Sequence, residues 1–165
     1  MTTPKHRYLQ DLKREGFVAD SAQANAVGLL DDLHQRLISA RQVPNKAVIR
    51  SLLGRFVKSS PQPEQGLYLW GGVGRGKTYL MDCFFETLPF ERKMRVHFHR
   101  FMRRVHNDLT THRGRANPLE RVAADIADEA VVICFDEFFV SDITDAMLLG
   151  TLFKALFERG VCLVA

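Results

Sequence analysis

The chain has 165 residues, 46% hydrophobic and 25% charged, with a formal net charge of +4. That length suits one domain with a sizeable core, and no apolar run approaches the roughly 20 residues that a bilayer crossing needs. The start, Met1-Thr2-Thr3-Pro4-Lys5-His6-Arg7, has no apolar segment behind it, which argues against a secretory signal.

Cys83, Cys134 and Cys162 sit inside apolar patterns, without the paired spacing of zinc ligands or disulfides. They read as reduced core thiols of a cytoplasmic protein. The charge is unevenly placed. Residues 91–121 carry nine Lys/Arg against three acids, and residues 122–165 carry two against eight. This asymmetry predicts a basic face and an acidic face, either of which can be plain solvated surface.

Residues 1–60 read as an N-terminal helical segment. Tyr8, Leu9 and Leu12 form a short stripe that Gly16 stops. Asp20 or Ser21 caps a second helix, in which Ala26, Val27, Leu29, Leu30, Leu33, Leu37 and Ile38 recur at helical spacing until Pro44. Residues 46–58 predict a further helix through Val48, Ile49, Leu52, Leu53 and Phe56. Ser59-Ser60-Pro61-Gln62-Pro63 is a loop before the core of residues 61–165. Gln23 reads first as a solvated helix position, with an amide that reads a nucleotide base as the alternative.

The run from Gly66 to Thr78 is the centre of the chain. An apolar strand ends at Trp70, a glycine-rich loop follows, and Lys77-Thr78 opens a helix. Gly71, four residues, then Gly76-Lys77-Thr78 fits the phosphate-loop pattern G-x-x-x-x-G-K-[ST]. Phosphates must touch bare backbone there, so successive N–H groups have to line one concavity where no Cβ intervenes. Gly71, Gly72, Val73, Gly74, Arg75, Gly76, Lys77 and Thr78 are the predicted ATP-binding residues. Lys77 is the cation for the β- and γ-phosphates, and the Thr78 hydroxyl is a ligand for Mg²⁺.

Beyond the loop, Leu80, Met81, Phe84, Phe85 and Leu88 predict one buried stripe. Arg95-Val96-His97-Phe98-His99 alternates as a strand, with His97 and His99 on one face. Such a pair could bind a metal, but no third ligand lies nearby in sequence. Residues 100–109 predict a helix lined by Phe101, Val105 and Leu109. Its arginines, with Arg113-Gly114-Arg115, form a basic region that suits nucleic-acid phosphates, an acidic protein surface or a plain solvated face. Residues 119–129 read as an exposed helix.

Ala130 to Phe135 is a continuous apolar run, the pattern of a parallel strand covered on both faces. Asp136 and Glu137 follow at its C-terminal end, where ligands sit in open α/β sheets. This is a Walker B pattern. Asp136 is the predicted Mg²⁺-holding carboxylate, and Glu137 is the predicted catalytic base for an attacking water. Ser141 or Asp142 caps the next helix, with Met147, Leu148, Leu152, Leu156 and Phe157 as its stripe and Gly160 as its end. Val161 to Ala165 begins another buried strand. A chain that stops inside a core strand is expected to be a fragment of a longer protein.

The phosphate loop and the Asp-Glu pair, with one strand between them, resemble the AAA+ ATPases. Gly72-Val73-Gly74-Arg75-Gly76-Lys77-Thr78, Arg95 to Met102, and Phe135-Asp136-Glu137-Phe138 through Asp142 to Met147 narrow the resemblance to the AFG-type ATPases, from about Tyr8 to Ala165. The resemblance implies an α/β P-loop NTPase (AAA+) fold, a parallel sheet flanked by helices, here truncated at the fourth core strand. It implies ATP hydrolysis with Mg²⁺ and a homo-oligomer. It also implies a cytoplasmic protein at the inner membrane face that acts on the division protein FtsZ in cell division. Relatives carry a sensor residue, an arginine finger, a second sensor and a helical lid further on. Without them the fragment is expected to bind ATP without efficient turnover, and residues 66–70 are expected to form a bare apolar edge prone to association.

Three functions compete. The first is an ATPase that remodels a protein partner; the second is a nucleic-acid-associated ATPase such as a helicase loader; the third is a nucleotide-gated binding module with little turnover. A GTPase is disfavoured, because Asn45-Lys46 is followed by Ala47-Val48 and no guanine-reading Asn-Lys-x-Asp motif exists. The adjacent Asp136-Glu137 pair disfavours a small-molecule kinase.

Overall fold

The computed structural model describes residues 2–14, 20–42, 63–71 and 76–165. The predicted helix over 46–58, the stops at Gly16 and Pro44, and loop residues Gly72, Val73, Gly74 and Arg75 lie outside the described residues. The chain falls into two compact units, Met1–Ser60 with Gly71–Pro89, and Pro61–Trp70 with Phe90–Ala165.

The first unit holds three described helices: α1 (Pro4–Asp11), α2 (Ser21–Gln42) and α3 (Lys77–Thr87). Helix α1 starts where Thr3 accepts a bond from the His6 amide, with Pro4 in the first turn, where its missing N–H costs nothing. Asp20 accepts from the amides of Ala22 and Gln23 and so caps α2. Val27, Leu30, Leu33 and Leu37 are buried on α2, whereas Leu29 is half exposed. On α3 the buried residues are Leu80, Met81, Cys83 and Phe84. Polar ties join the three helices. The Tyr79 hydroxyl donates to Asp11 at 2.7 Å, Arg7 pairs with Glu86, and buried His34 donates from Nε2 to the Thr87 carbonyl at 3.0 Å.

The second unit runs β1 (Lys93–His97), α4 (Phe98–Thr111), α5 (Pro118–Glu129), β2 (Val132–Asp136), α6 (Ile143–Glu158) and β3 (Cys162–Val164). The sheet is parallel in the order β1-β2-β3. Leu67 bridges Val164 in parallel on the free side of β3, so the segment entering the phosphate loop extends the sheet by one more position. The Leu67 amide donates to the Leu163 carbonyl at 3.2 Å, and the Ala165 amide donates to the Leu67 carbonyl at 3.0 Å. Gly66 makes this approach possible, because a Cβ there would lie 1.8 Å from the Leu163 carbonyl oxygen. Among the described residues nothing pairs with the outer side of 67–69, and Tyr68 and Trp70 are 63% and 86% exposed. The three cysteines are free and buried, as their apolar surroundings in sequence predict.

Four expectations need correction. Residues 119–129 are not an exposed helix. Val122, Ala123 and Ile126 of α5 are fully buried against the core; two aliphatics among alanines form a stripe too sparse to stand out in sequence. The second strand does not continue to His99. It ends at His97, and Phe98 turns inward as the first residue of α4, packing edge-on to Phe138 at 4.7 Å. The stripe of α6 is shifted: Leu149, Leu152, Ala155 and Leu156 are buried, whereas Met147 is 75% exposed. The charge blocks are not fully separate: Arg95 pairs with Asp136 and Arg104 with Glu129, so the basic stretch is partly neutralised by the acidic one.

Candidate functional site

The phosphate-loop residues that are described belong to the first unit. Gly76 stands immediately before α3 at φ 75°, a left-handed conformation that costs a side-chain-bearing residue roughly 1–2 kcal/mol. The N-cap residue Gly76 has no side chain to cap α3, and a helix start of this kind, with its first N–H groups outside the helical bonding, is the arrangement that receives anions. Lys77 and Thr78 are its first two residues. The Lys77 ammonium donates to the Gly71 carbonyl, the first residue of the motif, which closes the ends of the loop on one another. Thr78 is exposed.

Gln23 is not a solvated position. It is half-buried on α2, and a Cβ on Gly76 would meet its Nε2 at 2.8 Å. The carboxamide therefore packs against the glycine that opens α3. No spacing in sequence signals that contact between residues 53 positions apart.

The acid pair belongs to the second unit. Val132, Ile133, Cys134 and Phe135 are buried and Asp136 is half-buried, so the strand carries its carboxylate to the C-terminal edge of the sheet. Burial also pushes the Cys134 thiol up to about 12, which leaves it an inert core group. Glu137 is exposed and holds φ at 52°. This backbone turn has a clear cause. In plain strand geometry Phe135 and Phe138 would face opposite sides. With Glu137 left-handed, Phe138 returns to the side of Phe135, their rings 5.6 Å apart, and both pack on Phe98. The aromatic cluster thus fixes the strand end and turns Glu137 outward.

Asp136 has a partner that the motif does not announce. Arg95 on β1 reaches it with both prongs of its guanidinium, Nε to Oδ2 at 2.8 Å and Nη2 to Oδ1 at 3.1 Å. Only 21% of the Arg95 side chain and 17% of the Asp136 side chain are exposed.

His97 and His99 stack with ring centroids 5.9 Å apart. Among the described residues no group of three His, Cys, Asp or Glu side chains is placed to hold a metal ion. Mg²⁺ needs no such cluster. It takes one or two protein oxygens and completes its shell with phosphate and water. A hydroxyl such as Thr78 and a carboxylate such as Asp136 are the hard oxygen donors it prefers, and the Arg95 fork leaves further lone pairs on both oxygens of Asp136.

Of the basic region, Arg100, Arg103, Arg113 and Arg115 are exposed. Arg104 is held by Glu129 and Asp108, and its guanidinium keeps the Glu129 carboxyl below the usual carboxylate range through their hydrogen bond. No described helix is long and apolar enough to cross a membrane.

Comparison with known proteins adds the family. The model of the AFG1-like ATPases matches residues 2–165. The cell division protein ZapE of Escherichia coli (strain K12) is 51% identical over 168 residues, covering 99% of this chain and 45% of that protein. The lactation elevated protein 1 homolog B of Danio rerio is 48% identical over 118 residues, covering 65% of this chain and 24% of that one. Domain III of the Thermotoga maritima replication initiation protein DnaA is similar at 18% identity and a TM-score of 0.48, over 91% of this chain and 53% of that one. The chain thus spans less than half the length of the curated relatives it matches. With the family model matching from residue 2 to residue 165, the chain belongs to the AFG1-like ATPase family.

Proposed function

We propose that this chain is the nucleotide-binding part of an Mg²⁺-dependent ATPase that couples hydrolysis to remodelling a protein partner in cell division. One observation carries the reading. A phosphate-loop sequence opens a helix at Lys77-Thr78, and an Asp136-Glu137 pair ends a buried parallel strand, in a member of an ATPase family.

The roles follow from chemistry. The backbone from Gly71 to Gly76 and the start of α3 bind the phosphate chain, and Lys77 leaves the Gly71 carbonyl to bind phosphate oxygens. Thr78 and Asp136 hold Mg²⁺, which when bound offsets charge on the phosphates. Glu137 orients a water and takes its proton, a contribution of about 10²–10⁴ in rate. Gln23, beside Gly76, supports the loop from the α2 side.

Partner biology rests on the Escherichia coli relative, whose name is that of a cell division protein. The protein target is then a component of the division apparatus, with FtsZ the named candidate. The active form is a homo-oligomer, at work in the cytoplasm and peripherally on the inner membrane face. Exposed Arg100, Arg103, Arg113 and Arg115 keep a second reading open, that of a nucleic-acid-associated ATPase.

Two variants of the complete protein test the mechanism. Lys77→Ala is expected to lose binding of a fluorescent ATP analogue. Glu137→Gln is expected to keep binding and lose phosphate release. Turnover of Glu137→Gln at the normal rate would remove Glu137 from the role of base, and normal ATP binding by Lys77→Ala would sink the phosphate-loop reading. DNA binding that weakens steeply with salt would favour the second partner class.

A further inference from the structure

The fork of Arg95 on Asp136 goes beyond the ATPase reading. It rests on that reading, in which Asp136 is a metal-holding carboxylate. We infer that Arg95 is a positioning residue: it acts as the resident counter-cation of Asp136, and it gives way in part when a divalent metal arrives with nucleotide.

The register shows why Arg95 can do this. In the parallel pairing of β1 with β2, Arg95 lies opposite Cys134 and His97 opposite Asp136. Paired residues of a parallel ladder project to the same side of the sheet, and residues two apart along a strand share that side. Arg95 and Asp136 therefore project from one side, displaced by two positions, a gap that the long guanidinium stem spans. Both carboxylate oxygens are engaged, at 2.8 and 3.1 Å. A lysine at the same place could reach one oxygen but could not bracket both.

The pair is also mostly shielded, with side chains 21% and 17% exposed. A carboxylate removed that far from water needs a counter-charge, and without one it is costly to keep ionised. Arg95 supplies that charge before any metal is present and fixes the direction of both oxygens. Two cations then compete for one carboxylate when the metal enters. The fork consequently holds Asp136 ready and, by the same charge, raises the metal concentration needed to occupy it.

Mn²⁺ is the probe, followed by electron paramagnetic resonance in the presence of a non-hydrolysable ATP analogue, so that turnover plays no part. Arg95→Gln is expected to lower the Mn²⁺ concentration at half-saturation by about three- to tenfold, the size expected for one partly screened charge. Arg95→Lys, which keeps the charge but can engage only one oxygen, is expected to fall between wild type and Arg95→Gln. Without metal and nucleotide, Arg95→Gln is expected to melt at a lower temperature than wild type, and the gap is expected to close when Mn²⁺ and the analogue are added. Unchanged or weaker Mn²⁺ binding by Arg95→Gln overturns the inference.

Asp136→Asn separates this failure from failure of the reading beneath it. If Asp136→Asn binds Mn²⁺ like wild type, Asp136 is not the metal carboxylate and the site reading itself fails. If Asp136→Asn loses Mn²⁺ while Arg95→Gln changes nothing, only the role of Arg95 falls. Should Arg95→Gln fail to fold, the wild-type protein still decides the matter. The Arg95 Nε–H proton, slow to exchange without metal, is expected to exchange faster on saturation with Mg²⁺ and the analogue. Unaltered exchange refutes the inference.

Discussion

Gly66 is the residue where a single methyl group should do the most damage per atom added. The Cβ of Gly66→Ala would lie 1.8 Å from the Leu163 carbonyl oxygen and 2.9 Å from its carbonyl carbon, where ordinary contact begins near 3.4 Å. The obstacle is backbone of β3, so no side-chain rotation relieves it. Residues 66–69 must retreat by over an ångström. The Leu67 to Leu163 bond at 3.2 Å and the Ala165 to Leu67 bond at 3.0 Å then stretch beyond useful length. Two net backbone bonds at about 1 kcal/mol each, plus overpacking strain of about 1–2 kcal/mol, put the cost near 3–4 kcal/mol. Gly71 is only five residues further on, so ATP binding should weaken with it. Urea unfolding followed by circular dichroism is the assay, together with titration of a fluorescent ATP analogue. Trp70, the only tryptophan, is 86% exposed and reports poorly on unfolding. A Gly66→Ala protein within about 0.5 kcal/mol of wild type, with nucleotide affinity intact, would refute the close approach of the two backbones.

Two further outcomes are expected. At Glu137, where φ is 52°, glycine should be more stable than alanine by about 1 kcal/mol, since alanine keeps the left-handed strain that glycine escapes; equal urea midpoints would contradict this. Burial, then bonds to Cys83 and Asp11, hold the Tyr79 hydroxyl well above the ordinary tyrosine range. The raised value means that its share of stability is full below the unfolded value near pH 10 and declines as pH rises beyond it. Tyr79→Phe should therefore flatten the fall in melting temperature between pH 10 and 11, and an unchanged slope would remove Tyr79 from the account.

Periodicity made most elements legible because burial follows one stripe per helix. Val27, Leu30, Leu33 and Leu37 are at once the sequence pattern and the packed face. The method fails where a helix carries apolar residues on two sides. Met147 and Leu149 are equally apolar on paper, and only the position of the sheet decides that Leu149 is inside. It fails again at His97-Phe98-His99, where the same residues satisfy a strand pattern and the first turn of a helix. Alanine dilutes the signal on α5, and Val122 and Ile126 carry its buried face nearly alone. The partnering of charges is a tertiary matter throughout. Nothing in the order of residues says that Arg104 meets Glu129 or that Arg95 meets Asp136.

The site divides along the same line. Its candidate reactive groups stand out in sequence because phosphate binding and water activation restrict residue types at fixed spacing, and Gly76, Lys77, Asp136 and Glu137 fit that restriction. Its supports do not, because any shape-complementary neighbour can serve as a support. Gln23 against Gly76, Arg95 on Asp136 and the Phe98, Phe135 and Phe138 cluster are all contacts between distant parts of the sequence. The left-handed turn at Glu137 joins the two classes. Strand alternation alone would send Phe135 and Phe138 to opposite faces, so the core can gather both rings only by bending the chain between them, and Glu137 is where that bend occurs. The packing that stabilises the end of β2 therefore also presents Glu137 to solvent. A substitution that loosened the rings, such as Phe138 to a smaller residue, would act on the carboxylate without touching it.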